Sequence, residues 1–571
     1  VNDTDDEISP YSARSAFALH PIHLRLDDVD GSEPFLDELA TVREATAQAP
    51  TLQYADVLGL KREFARRIFD RHDTGQLWDL VEDWVEENPW IRPHAVYCVL
   101  RERNHRRSWK QWPQLRDPSP ADLDRFWDAR SSELLFHVWL QWECDRQLRA
   151  AATAVDGMGL RLKGDLPILL SEDSSDVWYH RELFDLEGRA GAPPDMYSET
   201  GQFWGFPCYR WETHTARDYD WWRARLGQAS RFYHALRIDH VLGFFRIWRV
   251  PVSSTTGMLG FFDPSVPITR QELRDHGITD ARIDVMAATE GRVDTGFPTE
   301  REYQAIEDPV ERKALMRRLW NRVLIDVDGQ GERFRPFWHW YESPLFHSLS
   351  DREKEALHHV MQQDGPRQEQ LWADTGRERL SMIDGSTDAL ICAEDLGAVP
   401  ACVPGVLDEL GVLGLRVERW ERKWSEQGQP FVPPSEYPRR SVCSPSVHDA
   451  SSLRGWWEEL DDAGRRAYWH GMGRHDDPPV SVDTDFLQEI LERNLAAGSE
   501  ICVLAVNDLL ALDPTLRPHD PAQERINTPG TENDSNWRWR MPIAVEELAE
   551  REEWTARVRE MLHRRRQRPL H

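Results

Sequence analysis

Three carboxylates carry most of the chemical information in this chain: Asp239 in ALRIDHVLGFF, Glu394 in LICAEDLG and Asp449 in SVCSPSVHDAS. Each closes a run of Leu, Ile, Val, Cys and Ala, and Asp239 and Asp449 each adjoin a histidine. A carboxylate at the mouth of an apolar strand is costly unless something pairs it or uses it. Three such strand ends from distant parts of one chain fit a parallel barrel whose C-terminal edges converge on one site.

The neighbours of these acids suggest their roles. Arg237 lies two residues before Asp239, so both side chains leave the same face of one strand. A guanidinium there is expected to lower the Asp239 pKa and keep it ionised, as a carboxylate nucleophile requires. Glu394 follows Ile-Cys-Ala and precedes Asp395, a setting that raises a pKa and suits a general acid. His448 and Asp449 suit sugar-hydroxyl contacts or a metal-ligand pair. The plainer alternatives are an Arg–Asp pair capping a strand, a helix N-terminal acid and a loop cap. Together, an Asp and a Glu facing each other with a third acid in support equip a site for glycosidic-bond chemistry.

The elements that must position them follow from periodicity. Residues 55–155 place apolar residues at three-and-four spacing, as in LWDLVEDWVEEN, and predict a helical subdomain over 45–155. LRLKGDLPILL then reads as a buried strand, and 171–215 as a long, aromatic-rich, substrate-type loop. A helix near 217–234 feeds the Asp239 strand. Residues 254–385 lose the strand–helix alternation and read as a helical insertion, after which the alternation resumes. A charged amphipathic helix is expected over 545–566.

Composition narrows the class. Acidic residues outnumber basic ones, 99 against 70, for a net charge of −29, which argues against nucleic acid or an anionic membrane as partner. Seven cysteines without a CxxC pair read as reduced thiols of a cytoplasmic protein. The 571 residues read as one catalytic domain with two helical excursions.

GDLPILL, PPDMYSETGQFWGFPCYRW, RIDHVLGFFRIW, AEDLG, VHDAS and RINTPGTENDSNWRWR occur in this order over about residues 9–545. In this the chain resembles the amylomaltase-type 4-alpha-glucanotransferases, glycoside hydrolase family 77. Phe206 in WGFP, the SVHDASSLRGWW string and the 394 − 239 = 155-residue gap resemble the branch that includes the plant cytosolic disproportionating enzyme.

The resemblance implies a (β/α)8 barrel whose first strand lies just upstream of Val1. It implies Asp239 as nucleophile, Glu394 as acid/base and Asp449 as the residue gripping the distorted sugar. Arg237, His448 and Asp165 would line the subsite of the attacked glucose, and Ser9, Tyr11, Gln202, Trp204 and Asn527 would contact substrate. Tyr197, Phe203, Trp204, Phe206, Tyr209 and Trp211 are expected to stack on sugar and keep water out. Implied substrates are α-1,4-glucans, with maltose or maltodextrin donors and glucan or glycogen acceptors, and no metal or cofactor. The alternatives are an α-amylase-like hydrolase, a catalytically poor glucan-binding protein, and a divalent-metal hydrolase using Asp239, His240, His448 and Asp449.

Overall fold

A computed structural model of the chain describes residues 2–47, 49–195, 198–254, 256–287, 305–319, 321–327, 329–531 and 533–566. At its centre lie six strands, Lys163–Leu166, Ala235–Ile238, Leu390–Ala393, Leu413–Val417, Ser441–Ser444 and Ile501–Cys502. Each pairs in parallel with the next in chain order. An order that never reverses is the winding of a barrel rather than of an open doubly wound sheet.

The sheet is curled. The first and fifth strands of a flat sheet would stand about 19 Å apart. Yet the Tyr11 hydroxyl bonds both Asp165 on the first strand and His448 just beyond the fifth. The strands alternate as the period of two demands. Leu166, Leu236, Ile238, Ile391 and Ala393 join the main core with the surrounding helices, while Cys392, Leu413, Leu415, Val417 and Val442 form a separate apolar cluster. Asp239 and Glu394 share a face with that second cluster.

Between residues 54 and 157 lie the helices Tyr54–Phe69, Thr74–Glu87, Ile91–Arg103 and the 38-residue Pro120–Gly157. The last begins at a Ser119–Asp122 capping box with proline at its first position, which satisfies N–H groups that a helix start leaves orphaned. Its buried face shares one core with the barrel strands.

Two expectations differ from what is found. Residues 171–215 are not a loop throughout. Phe184–Ala192 and Gln202–Tyr209 are antiparallel strands, joined by Ile247–Pro251 and Phe261–Asp263 into a four-stranded sheet. The glycines that read as loop signals serve close backbone approach: a Cβ on Gly191 would stand 2.1 Å from the Gln202 carbonyl oxygen. Likewise 254–385 is not helical throughout, since Ile268–Thr269, Leu324–Asp326 and Arg333–Pro336 make a small antiparallel sheet. Residues 288–304 of that stretch lie outside the described residues. Its long helix, Asp351–Asp384, packs on the barrel itself, with Arg379 donating to the Phe244 carbonyl at 3.1 Å.

Candidate active site

The backbone ladder runs one residue past the strands. Asp239 N–H donates to the Leu166 carbonyl (3.1 Å), Glu394 N–H to Ile238 (2.9 Å) and Val241 N–H to Glu394 (3.1 Å). Since Ala393 pairs with Ile238, Asp239 and Glu394 end adjacent strands at the same level, at the strand spacing of about 4.8 Å. One step below, Asp165 is the register partner of Arg237. The Arg237 Nη1 donates to both Asp165 oxygens at 2.8 and 2.6 Å and lies 3.1 Å from Asp239 Oδ1.

Across the curl, an N-terminal segment closes the ring. Ser171 N–H donates to Ala13 and Ser175 N–H to Arg14, pinning residues 13–14 beside the first strand's end. Ser9 opens a turn, its carbonyl accepting from Ser12 N–H, which presents Tyr11. The Tyr11 hydroxyl lies 3.1 Å from Asp165 Oδ2, 2.9 Å from His448 Nε2 and 3.3 Å from Arg237 Nη1. His448 Nε2 lies 3.4 Å from Asp449 Oδ2, and Asn527 Nδ2 donates to Asp449 Oδ1 at 2.7 Å.

On the other side, the Glu394 carboxyl accepts from His240 N–H at 2.8 Å and Leu396 N–H at 3.0 Å. Behind it, Asp395 accepts from Leu415 N–H at 2.7 Å and pairs with Arg416 at 3.2 Å. Trp204 stands edge-on to the His240 ring at 4.9 Å and donates to Gln202 Oε1 at 2.9 Å.

The electrostatics correct one expectation. Burial and the facing carboxylates of Glu394, Asp165 and Asp449 push the Asp239 carboxyl up, and Arg237 only partly offsets them. The local pattern showed the arginine but not the acids that distant strands bring in. Glu394 is raised as expected, by burial, against the pull of Arg237 and its two backbone N–H donors. Two raised carboxyls side by side titrate as a pair, so the proton they share belongs to both. For Asp449, burial raises the pKa, but His448, Asn527 and Arg237 outweigh it and hold it below the usual range. The Tyr11 phenol is raised by burial and by Asp165 and Asp239, which keeps it a neutral donor.

The structure thus brings ten of the eleven predicted residues to one end of the sheet in two linked sets: Asp239, Arg237, Asp165, Tyr11, His448, Asp449 and Asn527, and, through His240, Glu394, Trp204 and Gln202. Ser9 touches the first set only through Tyr11, whose N–H lies 3.4 Å from the Ser9 hydroxyl. Of the predicted aromatics, Tyr209 is core: it is 7% exposed and its hydroxyl donates to the Ile168 carbonyl. Trp211 stacks on buried Trp222 at 6.2 Å. Both pack against the main core, Tyr209 from the end of its strand and Trp211 from the start of the helix Trp211–Ala216 that follows. Trp204, Phe203 and Phe206 remain half-buried, and Tyr197 lies outside the described residues. Trp537 was not singled out, although it lies in the same NWRWR string as the predicted motif. Its ring lies 5.4 Å from His448 and 5.8 Å from Tyr11. Among the described residues no group of three or more His, Cys, Asp or Glu side chains is placed to hold a metal ion, and no helix is long and apolar enough to cross a membrane.

Known proteins share this chain's family and fold. The family model for glycoside hydrolase family 77, described as 4-alpha-glucanotransferase, matches residues 1–545. The rice (Oryza sativa subsp. japonica) 4-alpha-glucanotransferase DPE2 is 32% identical over 602 residues, covering 97% of this chain; the chain spans 63% of that relative's length. A 4-alpha-glucanotransferase of Chlamydia muridarum is 28% identical, covering 96% of this chain and 84% of the relative. Among solved structures, the amylomaltase of Streptococcus agalactiae in complex with acarbose superposes with a TM-score of 0.63 at 20% identity. It covers 98% of this chain and 89% of that one. The amylomaltase of Corynebacterium glutamicum gives 0.62 at 18% identity, covering 98% of this chain and 68% of that one. These two likenesses show a shared α/β TIM-barrel-like fold.

Proposed function

The chain belongs to the 4-alpha-glucanotransferase family, glycoside hydrolase family 77, and on that footing we propose that it moves glucosyl or maltodextrin units between α-1,4-glucans by retaining double displacement. The observation that carries this reading is the pairing of Asp239 and Glu394 at one level of adjacent parallel strands, with Arg237 3.1 Å from Asp239. Paired carboxyls about 5–5.5 Å apart are the retaining arrangement.

In the first half-reaction the shared proton resides on Glu394. It passes to the glycosidic oxygen as the Asp239 carboxylate attacks the anomeric carbon, and a glycosyl ester forms. Arg237 favours the charge on Asp239 before attack. Glu394, now ionised and held by the N–H groups of His240 and Leu396, takes the proton of an acceptor hydroxyl. That hydroxyl attacks the same carbon, the Asp239 ester breaks, and the α-configuration is retained. Asp449, kept ionised by His448 and Asn527, accepts sugar hydroxyls, a grip that tightens as the ring flattens. Tyr11, Asp165, His448 and Trp537 would line the attacked glucose, and Trp204 and Gln202 the opposite side.

Maltose as glucosyl donor, a branched glucan such as glycogen as acceptor and a cytoplasmic setting are parts of the same proposal. All seven cysteines are unpaired thiols, which supports a reducing compartment. The test is a product profile by chromatography, with maltotriose alone and then maltose plus glycogen. A ladder of longer oligosaccharides from maltotriose supports general disproportionation. Glucose released from maltose only when glycogen is present supports single-glucosyl transfer. Glucose and maltose from maltotriose without any longer product would make the protein a hydrolase, and glycan binding without turnover would make it a binding protein.

A further inference from the structure

We propose that His240 is a positioning residue for Glu394, tying the orientation and proton affinity of that carboxyl to the Trp204 strand. The inference rests on the reading of Glu394 as acid/base. It begins with the backbone. His240 adopts φ +45°, a left-handed conformation that costs a non-glycine residue about 1–2 kcal/mol. That conformation turns the chain sharply after Asp239. The His240 N–H then points sideways at Glu394 Oε2 (2.8 Å), and the next N–H, of Val241, bonds the Glu394 carbonyl (3.1 Å). Two successive amides of the nucleophile's own turn thus clamp the neighbouring acid by its side chain and its backbone. In an extended conformation the two successive amides would face opposite ways and could not both reach Glu394.

The ring keeps the turn in place. It stands at 88° to Trp204 with centroids 4.9 Å apart. Burial and Arg246 lower its pKa to about 4, so it is an uncharged wedge at neutral pH. Gly243 lies beside the ring: a Cβ there would meet His240 Cδ2 at an ordinary 3.5 Å but crowd Ile168 Cδ1 at 2.7 Å. The groups facing Glu394 are Asp239 and Arg237 from the adjacent strand and Asp395, itself paired with Arg416, from its own. Among the described residues, the hydrogen bonds to its carboxyl come from His240 and Leu396. An N–H donor to a carboxylate stabilises the ionised form, the form that must collect the acceptor's proton. A sugar ring seated against Trp204 would press on the wedge that aims this donor.

The test is the pH profile of kcat/KM for maltotriose transfer in His240→Val, His240→Gly and Trp204→Ala. Valine resists φ > 0, so His240→Val should displace the N–H. The basic limb, which reports loss of the Glu394 proton, should then move up by about one pH unit, with kcat reduced. His240→Gly tolerates the turn without strain but lacks the ring that holds it, and should move the limb up by less than His240→Val does. Trp204→Ala, which leaves the turn residue unchanged, should move the limb the same way by less. An unmoved basic limb in His240→Val, or in Trp204→Ala should the valine variant not fold, overturns the proposal. If Glu394→Gln keeps wild-type transfer, the acid/base reading itself has failed; the two failures are therefore distinct.

Discussion

Arg237 offers the sharpest quantitative prediction. Its Nη1 alone makes the contacts to Asp239 (3.1 Å) and Asp165 (2.6 and 2.8 Å). At an effective dielectric of about 20, a charge pair at that Asp239 distance interacts by about 5 kcal/mol. The Asp239 side chain is 25% exposed and Asp165 competes for the same nitrogen. Less than half of that survives, about 2 kcal/mol, or about 1.5 pKa units. Arg237→Met removes the main influence that lowers Asp239 and leaves burial, Glu394, Asp165 and Asp449 raising it. The lower macroscopic pKa of the pair should rise, so the acid limb of kcat/KM should move up by about 1.5 units. Below that limb the variant loses about 30-fold against wild type, and part of the loss is recovered on the alkaline side. Because one nitrogen does the pairing, Arg237→Lys should hold the limb within about half a unit, despite the usual poor exchange of these residues at forked contacts. The assay is initial-rate glucose release from maltotriose across pH. An acid limb in Arg237→Met that coincides with wild type, whatever the loss in rate, would refute the claim that Arg237 sets the charge on Asp239.

Other consequences are independent of that pair. Trp204→Ala should raise hydrolysis relative to transfer several-fold, measured as the ratio of reducing ends formed to oligosaccharide formed; an unchanged ratio removes Trp204 from acceptor binding. Asp5 is pulled by Arg62, Arg101 and Arg106, against burial, to about 2. Its depressed folded-state pKa contributes about 2 kcal/mol of stability that is present above the unfolded value near 3.8 and lost as pH falls through about 2. Asp5→Asn should therefore lower the urea midpoint at neutral pH and narrow the gap to wild type in strong acid. Gly376 packs directly on buried Phe245, and a Cβ there would stand 2.2 Å from the ring. Gly376→Ala should cost about 1–3 kcal/mol by overpacking, despite the better helix propensity of alanine, read as a drop in Tm.

Much of this site was legible because a parallel barrel writes its chemistry at strand ends. Asp239, Glu394 and Asp449 each terminate an apolar run, and Arg237 shares a face with Asp239 by the strand period alone. The resemblance supplied Ser9, Tyr11 and Asn527, which no periodicity marks, since they reach the site on irregular segments held by hydrogen bonds. Glycine and proline misled over 184–209. There Gly191 and its neighbours serve the close approach of paired strands rather than a turn, and bulges between Asp185, Arg189 and Gly191 break the alternation. The sign of the Asp239 shift was hidden for another reason: its local neighbour is cationic, while the burial that outweighs it comes from the assembled fold and the acids that add to it lie 239 − 165 = 74 or more residues away in sequence. Trp537 reaches Tyr11 and His448 only through a backbone at φ +63°, which nothing in NWRWR announces.

The central claim is that Asp239 bears the transferred sugar. Glu394→Gln, treated with an α-maltosyl fluoride whose leaving group needs no acid, should form the ester and be slow to lose it. Peptide mass spectrometry should then find the maltosyl mass on the peptide containing Asp239 and none in the Asp239→Asn, Glu394→Gln double variant. A sugar adduct on any other residue, or none while fluoride is steadily released, would contradict double displacement through Asp239.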